Sequence, residues 1–389
     1  MTSTDTHSSE THSSETQWSA YLAAGERRAR ALPNRGPVRY TPEGRVHPDI
    51  LDAYDEFGFY VFEDVLGPAE LAELRAEVED LLERAPYPSR DSPTDQLGRP
   101  AAASNLPKNP WLMAPPLSDP VGGTRLNNGR HPVKMAEPQA RPDAPAAVPY
   151  LMFGCLALLD SFVRVYAHPD LLAVAEAVNG VDFTPFNEAL FIKQAGLGPS
   201  VAWHQDGQNH WASPDLDGRS HGFNFQVQIY GSTAANGVWV VPGSHLHGKV
   251  DIKAMVEANG GSDRLAQAVP LVCNPGDAFI TNRQALHGSF PNVSADPRVT
   301  VNFGFHRYRS VINQPGTLTS NGQIYDADYV HQRCRAIAVA IDARAQRYPG
   351  ERRFVYQPFA DAAALEANRF NEHTRREVLA EAYLHDLAI

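Results

Sequence analysis

Trp203-His204-Gln205-Asp206-Gly207 is the stretch on which the reading of this chain turns. An imidazole and a carboxylate stand two residues apart, and on an extended strand alternate side chains share one face, so both can reach one point. By itself a His-x-Asp more often marks a local hydrogen bond than a metal site. Leu286-His287-Gly288-Ser289 strengthens the metal reading, because it follows a strand-like run at 277–281 and places a second imidazole beside a glycine that lets backbone approach closely. Two histidines and one carboxylate hold iron(II) on one side and leave positions open for an oxo-acid and dioxygen. Arg298 stands 11 residues beyond His287, at the head of the alternation Val299-Thr300-Val301-Asn302-Phe303, and is expected on the strand adjacent to it. A guanidinium there can take the far carboxylate of 2-oxoglutarate in a bidentate pair, the alternative being a surface ion pair with Asp296. His245-x-His247 is a rival ligand pair, set in an apparent turn after Pro242-Gly243-Ser244. His210, His221 and His306 stand alone and read as surface or hydrogen-bonding histidines.

Outward from this core the texture is that of a β-protein. Residues 183–194, 222–230, 237–242, 277–281 and 298–308 are short runs rich in Val, Ile, Phe and Tyr, separated by Gly, Pro, Asn and Ser, which predicts an antiparallel barrel or jelly roll. Upstream, Gly58-Phe59-Tyr60-Val61-Phe62 reads as a buried strand. Leu71, Leu74, Val78, Leu81 and Leu82 recur on one face of a helix that opens at Pro68 and stops before Pro86. Helices are also expected at 156–166, 169–178, 325–346 and 361–387. The fold class is therefore mainly β with flanking helices. Residues 1–45 read as a mostly disordered tail, since 1–18 is polar and repeats Thr-His-Ser-Ser-Glu. Residues 46–310 form the barrel domain, and 311–389 a helical extension packed on it.

Between Pro86 and Pro149 fall 14 of the chain's 31 prolines, so this stretch is read as long irregular chain, either a cover for the site or disordered, with the cover as the expectation. Arg125, Asn127, Asn128, Arg130 and His131 cluster at its glycine-rich centre and are the expected polar contacts to a substrate. On 222–230, Asn224, Gln226 and Gln228 share one strand face. If that face lines the barrel, Gln226 serves the co-substrate while Asn224 and Gln228 serve a polar substrate; the alternative is a solvated outer face.

Composition narrows the partners. Lys and Arg total 34 against 45 Asp and Glu, a formal charge of −11, which speaks against a nucleic-acid surface. The three cysteines are far apart, which fits a reducing cytoplasm, and the longest apolar run falls well short of the roughly 20 residues that span a bilayer.

In their order and intervals, several motifs together resemble the phytanoyl-CoA dioxygenase family of Fe(II)/2-oxoglutarate oxygenases. They are Trp203-His204-Gln205-Asp206-Gly207, Ala235-Asn236-Gly237, Val241-Pro242-Gly243-Ser244-His245, Pro275-Gly276-Asp277, Leu286-His287-Gly288-Ser289, Asn292 and Arg298. The likeness covers roughly Pro48 to Tyr308. It implies a double-stranded β-helix of jelly-roll, cupin-like form, iron(II) on His204, Asp206 and His287, and 2-oxoglutarate on Arg298 with help from Ser289 and Lys193. It further implies that O2 and 2-oxoglutarate are consumed, with release of succinate and CO2, to oxidise a carbon–hydrogen bond of a small molecule. Hydroxylation is the default; desaturation, ring closure or epimerisation would use the same ligands. Halogenating relatives carry a small residue where this chain has Asp206, so halogenation is not expected. The amide-bearing strand, the proline-rich insert and the helical extension depart from the shared pattern, so the substrate does not carry over. A tailoring role in secondary metabolism is the expected setting, and a non-catalytic or redox-neutral metal-binding barrel is the competing reading.

Overall fold

Strict two-residue alternation sorts each strand's side chains between an inner and an outer face, and this builds the core. The computed structural model describes residues 5–208, 211, 217–219, 221–317, 322–385 and 387, with residues 5–14 as backbone only. Strands, numbered in chain order, form two sheets. The larger runs β1 (Arg35–Gly36), β2 (Phe59–Phe62), β10 (Ala278–Asn282), β7 (Gly222–Gln228), β12 (Arg298–His306), β5 (Thr184–Lys193), β4 (Val148–Phe153) and β3 (Trp111–Ala114). The smaller runs β6 (Val201–His204), β11 (His287–Ser289), β8 (Trp239–Val240) and β9 (Val269–Pro270). All pairings are antiparallel except β1 with β2. This is the jelly-roll core expected of a double-stranded β-helix.

On the larger sheet Phe223, Phe225 and Val227 of β7, Val301, Phe303 and Phe305 of β12, and Leu190 and Ile192 of β5 turn outward into one apolar cluster. Helices α3 (Pro68–Glu83), α5 (Asp160–Tyr166), α6 (Pro169–Asn179) and the helix Ala327–Arg347 cover that face. The alternate residues, Asn224 and Gln226 of β7 and Arg298 and Asn302 of β12, turn the other way and line a cavity between the sheets. Phe59, Val61, Phe279, Val240 and Leu271 close the same interior at its far end. Burying apolar side chains outside the larger sheet thus forces a polar layer inside it.

Four expectations need correction. Of the stretch 1–45, read as a mostly disordered tail, the described residues 5–45 are not loose. Helix α1 (Asp5–Ala31) lies along the smaller sheet, with Tyr21 stacked on Trp239 at 4.7 Å and Trp18 edge-on to Phe290 at 5.1 Å. Tyr21 Oη donates to the Leu265 carbonyl and Arg28 to that of Ala268. Second, the proline-rich stretch is not wholly irregular, since it contributes β3 and the start of β4 to the sheet edge. Third, residues 361–387 are not one helix. The run stops at Asn368 and restarts at Asn371, whose side chain accepts from the amides of His373 and Thr374 in a capping box. Fourth, the segment 156–166 breaks at Leu159, which is extended, into α4 (Cys155–Leu158) and α5. The cysteines are free thiols, all buried, and among the described residues no helix is long and apolar enough to cross a membrane.

Gly25 shows how tightly α1 is seated: a Cβ there would lie 2.3 Å from the Trp239 ring, which is fully buried and cannot swing aside. Gly25→Val is therefore expected to cost about 1–3 kcal/mol by overpacking, read from urea unfolding. An unchanged midpoint would show that α1 does not depend on this contact.

Candidate metal centre

β6 and β11 are neighbours in register, with His204 directly opposite His287, and this brings the two rings to 4.1 Å between centroids. Each ring is fixed by its own backbone. His204 Nδ1 lies 2.8 Å from the Ala202 carbonyl and His287 Nδ1 lies 2.9 Å from that of Ala285. A carbonyl only accepts, so both Nδ1 atoms carry a proton, and in the neutral form of either ring the lone pair falls on Nε2. That is the arrangement in which imidazoles ligate metals, with the second nitrogen anchored.

Asp206 does not continue the strand, which ends at His204. It lies in the turn beyond, where its amide donates to the Arg283 carbonyl at 2.7 Å and Gly207 takes φ +85°. The carboxylate still reaches the histidines: one oxygen lies 3.5 Å from His204 Nε2. Ligand atoms of His204, Asp206 and His287 all fall within 4.8 Å of one another. Burial by itself would raise the Asp206 pKa, but Arg130, the contact with His204 and Arg283 outweigh it and hold the carboxyl well below its usual range. Burial, then His204, pushes His287 down to about 4, so it is neutral near pH 7. Deprotonated carboxylate and neutral imidazole are the forms a metal takes. The donor set, two nitrogens and one oxygen, suits iron(II).

Arg298 stands opposite. It is not on a strand adjacent to His287: β12 belongs to the larger sheet, between β7 and β5, and Arg298 faces the smaller sheet across the interior. It is 2 % exposed, its Nη2 donates to Gln226 Oε1 at 2.6 Å, and its Nε has no partner. Burial pushes its pKa down to about 10 and no carboxylate compensates, so the expected alternative partner, Asp296, does not pair with it. Asp296 instead offers its backbone carbonyl to Asn236 and Asn292. A buried guanidinium facing a cavity with an open donor is a site for an anionic ligand.

A cavity of about 130 Å³ connects these groups. It is lined by the triad, Arg298, Ser289, Gln226 and Asn302, and from the proline-rich segment by Asn127, Arg130 and His131. Asn224 lines it too and donates to Asp206 at 3.0 Å. The inward reading of the amide face thus holds for Asn224 and Gln226. Gln228 points inward but is fully buried below the cavity, its amide turned to the Gln226 carbonyl. Arg125 is exposed, and Asn128 hydrogen-bonds the exposed Gln208; neither lines the cavity. Lys193 pairs in register with Arg298, but its ammonium is held by the Phe290 carbonyl behind the site. His245 is remote, its Nε2 on the Asp55 carbonyl, and His210 lies outside the described residues.

Arg283 escaped the sequence reading. It is fully buried, its carbonyl positions Asp206, and its guanidinium lies 3.9 Å from the Asp206 carboxylate. The signal was a charged residue inside the otherwise uncharged run Ile280 to Leu286. Asn302 was also missed, although its alternation with Arg298 on β12 was legible.

No curated protein matches the chain. Among solved structures, EctD from S. alaskensis with 2-oxoglutarate and 5-hydroxyectoine is similar at 19% identity and a TM-score of 0.47, over 70% of this chain and 80% of that one. AviO1 from Streptomyces viridochromogenes Tue57 is similar at 20% identity and 0.44, over 67% and 94%. The non-heme alpha ketoglutarate dependent epimerase SnoN from nogalamycin biosynthesis is similar at 17% and 0.42, over 67% and 82%. Residues 137–300, which include every ligand of the candidate centre, match the family model of phytanoyl-CoA dioxygenase (PhyH).

Proposed function

We propose that the chain hydroxylates an unactivated carbon of a small molecule, with iron(II) on His204, Asp206 and His287 and with the far carboxylate of 2-oxoglutarate on Arg298. The observation that carries this reading is the buried, uncompensated Arg298 facing two imidazoles whose Nε2 lone pairs are free beside a carboxylate. A redox-neutral metal barrel would have no use for that guanidinium. Bound iron with 2-oxoglutarate and O2 supplies the oxidising power, with succinate and CO2 as co-products.

The chain's residues supply the rest. Ala202 and Ala285 carbonyls orient the imidazoles. Asn224 and Arg283 steady one oxygen of Asp206, which leaves the other for the metal and fills with an anionic oxygen a position that a halide would need. Ser289 and Gln226 flank Arg298 as further contacts to the co-substrate. Tyr150, Leu151 and Phe191 give the cavity an apolar wall, while Asn127, Arg130 and His131 close it from the proline-rich segment. Small-molecule sites generally span roughly 300 Å³ or more, so this segment stands in a closed position and withdraws to admit substrate. Closed, it keeps water from the reacting centre.

The test is succinate formation from 2-oxoglutarate by the iron-loaded protein. Turnover is expected in air and absent without O2. Oxygen-independent turnover of any compound, or metal-loaded protein that never forms succinate with any candidate substrate, would favour the redox-neutral barrel.

A further inference from the structure

The two oxygens of Asp206 have different neighbours. Oδ2 accepts from Asn224 at 3.0 Å and lies 3.9 Å from the Arg283 guanidinium. Oδ1 lies 3.5 Å from His204 Nε2 and 3.2 Å from Arg130 Nη1. Oδ1 is the oxygen beside the free imidazole lone pair, so it is the one a metal ion takes, and Arg130 occupies that same oxygen. Metal and Arg130 therefore draw on one oxygen, and their like charges oppose each other across it.

Arg130 has no second carboxylate to move to. Asp206 is the only acidic side chain lining the cavity among the described residues. Arg130 Nε is buried without a partner, and three-quarters of the side chain is out of solvent. Charge counting on the proposed function sharpens this: a metal dication, Asp206, doubly anionic 2-oxoglutarate and Arg298 cancel. Lys193 adds little, because burial and then Arg298 push its pKa well down. Arg130 is left as one unbalanced positive charge at the cavity wall, and a guanidinium in that setting is best satisfied by a planar or tetrahedral oxyanion.

Resting on that reading of the triad, we propose that Arg130 is the anion receptor for the substrate: Asp206 holds it in the metal-free protein, metal loading releases it, and it then pairs with a carboxylate or phosphate group of the substrate. The substrate class is thus an anionic small molecule whose charged end lies beside the metal-facing wall.

Manganese(II), redox-silent in this setting, tests both halves without turnover. In the first arm, free Mn(II) is followed by electron paramagnetic resonance during titration of wild type, Arg130→Gln and Arg130→Lys. Removing the competing charge is expected to tighten Mn(II) binding roughly five- to tenfold in Arg130→Gln, with Arg130→Lys close to wild type. Equal or weaker binding by Arg130→Gln would overturn the competition. In the second arm, Mn(II) and 2-oxoglutarate are bound, and nuclear relaxation of added inorganic phosphate and of added acetate is measured. Wild type is expected to enhance relaxation of at least one ion, and which one responds distinguishes a phosphate from a carboxylate substrate. The enhancement is expected to vanish in Arg130→Gln. No enhancement in wild type, or the same enhancement in Arg130→Gln, would overturn the receptor. Wild type that fails to bind Mn(II), or His204→Ala that binds it equally well, would overturn the metal site itself and this proposal with it, an outcome distinct from the other failures.

Discussion

Alanine at His204 or at His287 is expected to lower iron(II) affinity by roughly 100-fold or more, since even the hydrogen-bond partners of metal ligands are worth 10–100-fold. The geometry gives the reason. The two Nε2 atoms converge only because β6 and β11 place His204 opposite His287 and because the Ala202 and Ala285 carbonyls hold each Nδ1. One neighbour stands close. The His131 ring lies 4.3 Å from that of His204 with its Nδ1 buried and unpartnered, and burial, then His204, holds its pKa far below the usual histidine range. Residual metal in His204→Ala is therefore expected to disappear in the His131→Ala, His204→Ala double variant. His245→Ala should keep its metal, because His245 is tied to the Asp55 carbonyl and packs beneath Gly58. Metal analysis of anaerobically loaded protein decides it: full iron in both single variants, or loss in His245→Ala, would refute the assignment.

How much of this was legible depends on where the information is stored. The strands of the larger sheet could be read because alternation is local. Phe223, Phe225 and Val227 announce a buried face and, by the same token, put Asn224 and Gln226 on the other one. The register between strands is not local. Arg298 was placed on a strand adjacent to His287, since they are near in sequence, whereas β12 crosses to the opposite sheet and the guanidinium reaches the site from the far wall. Arg298 and the His204–Asp206–His287 cluster still line one cavity, because a jelly roll closes its interior from both sides. Asp206 shows the same limit: shared strand face was the argument, yet the carboxylate is brought round by a glycine turn and by the hydrogen bond its backbone N–H donates to the Arg283 carbonyl.

The N-terminus failed for another reason. Its composition is polar and repetitive, which reads as tail, but Trp18, Tyr21, Leu22, Gly25 and Ala29 recur at helical spacing. The stripe is narrow and its small residues add little hydropathy, although Gly25 is small because Trp239 lies against it. The covering segment was legible only in part. Glycines and prolines identified it, but which of its polar residues face inward is fixed by individual backbone angles: Asn127 and Asn128 both take positive φ, and only Asn127 lines the cavity.

The second large effect falls on co-substrate binding and not on iron. Arg298→Ala is expected to raise the 2-oxoglutarate requirement roughly 100-fold or more while leaving metal affinity within a few-fold of wild type, because removing one partner of a buried ion pair costs about 3–5 kcal/mol and each 1.4 kcal/mol is a factor of ten. Burial makes the cost large. Arg298 is 2 % exposed, so the carboxylate it leaves behind meets no water to replace it. Nor can a neighbour take over: Lys193 is the nearest other cation, in register with Arg298, but its ammonium is engaged by the Phe290 carbonyl and its pKa is pushed well down. Gln226 would lose the guanidinium that its Oε1 now accepts from and can offer only a neutral amide. Arg298→Lys should recover part of the loss, since it restores charge without the fork that binds a carboxylate at two points. Ser289→Ala, removing one hydroxyl from the same wall, should cost roughly tenfold or less, in keeping with a single hydrogen bond of about 1 kcal/mol. Titrating 2-oxoglutarate against metal-loaded protein by calorimetry separates these variants without turnover. Equal titrations for wild type and Arg298→Ala would remove Arg298 from the site, and a parallel collapse of metal binding would show that the guanidinium supports the barrel instead of the co-substrate.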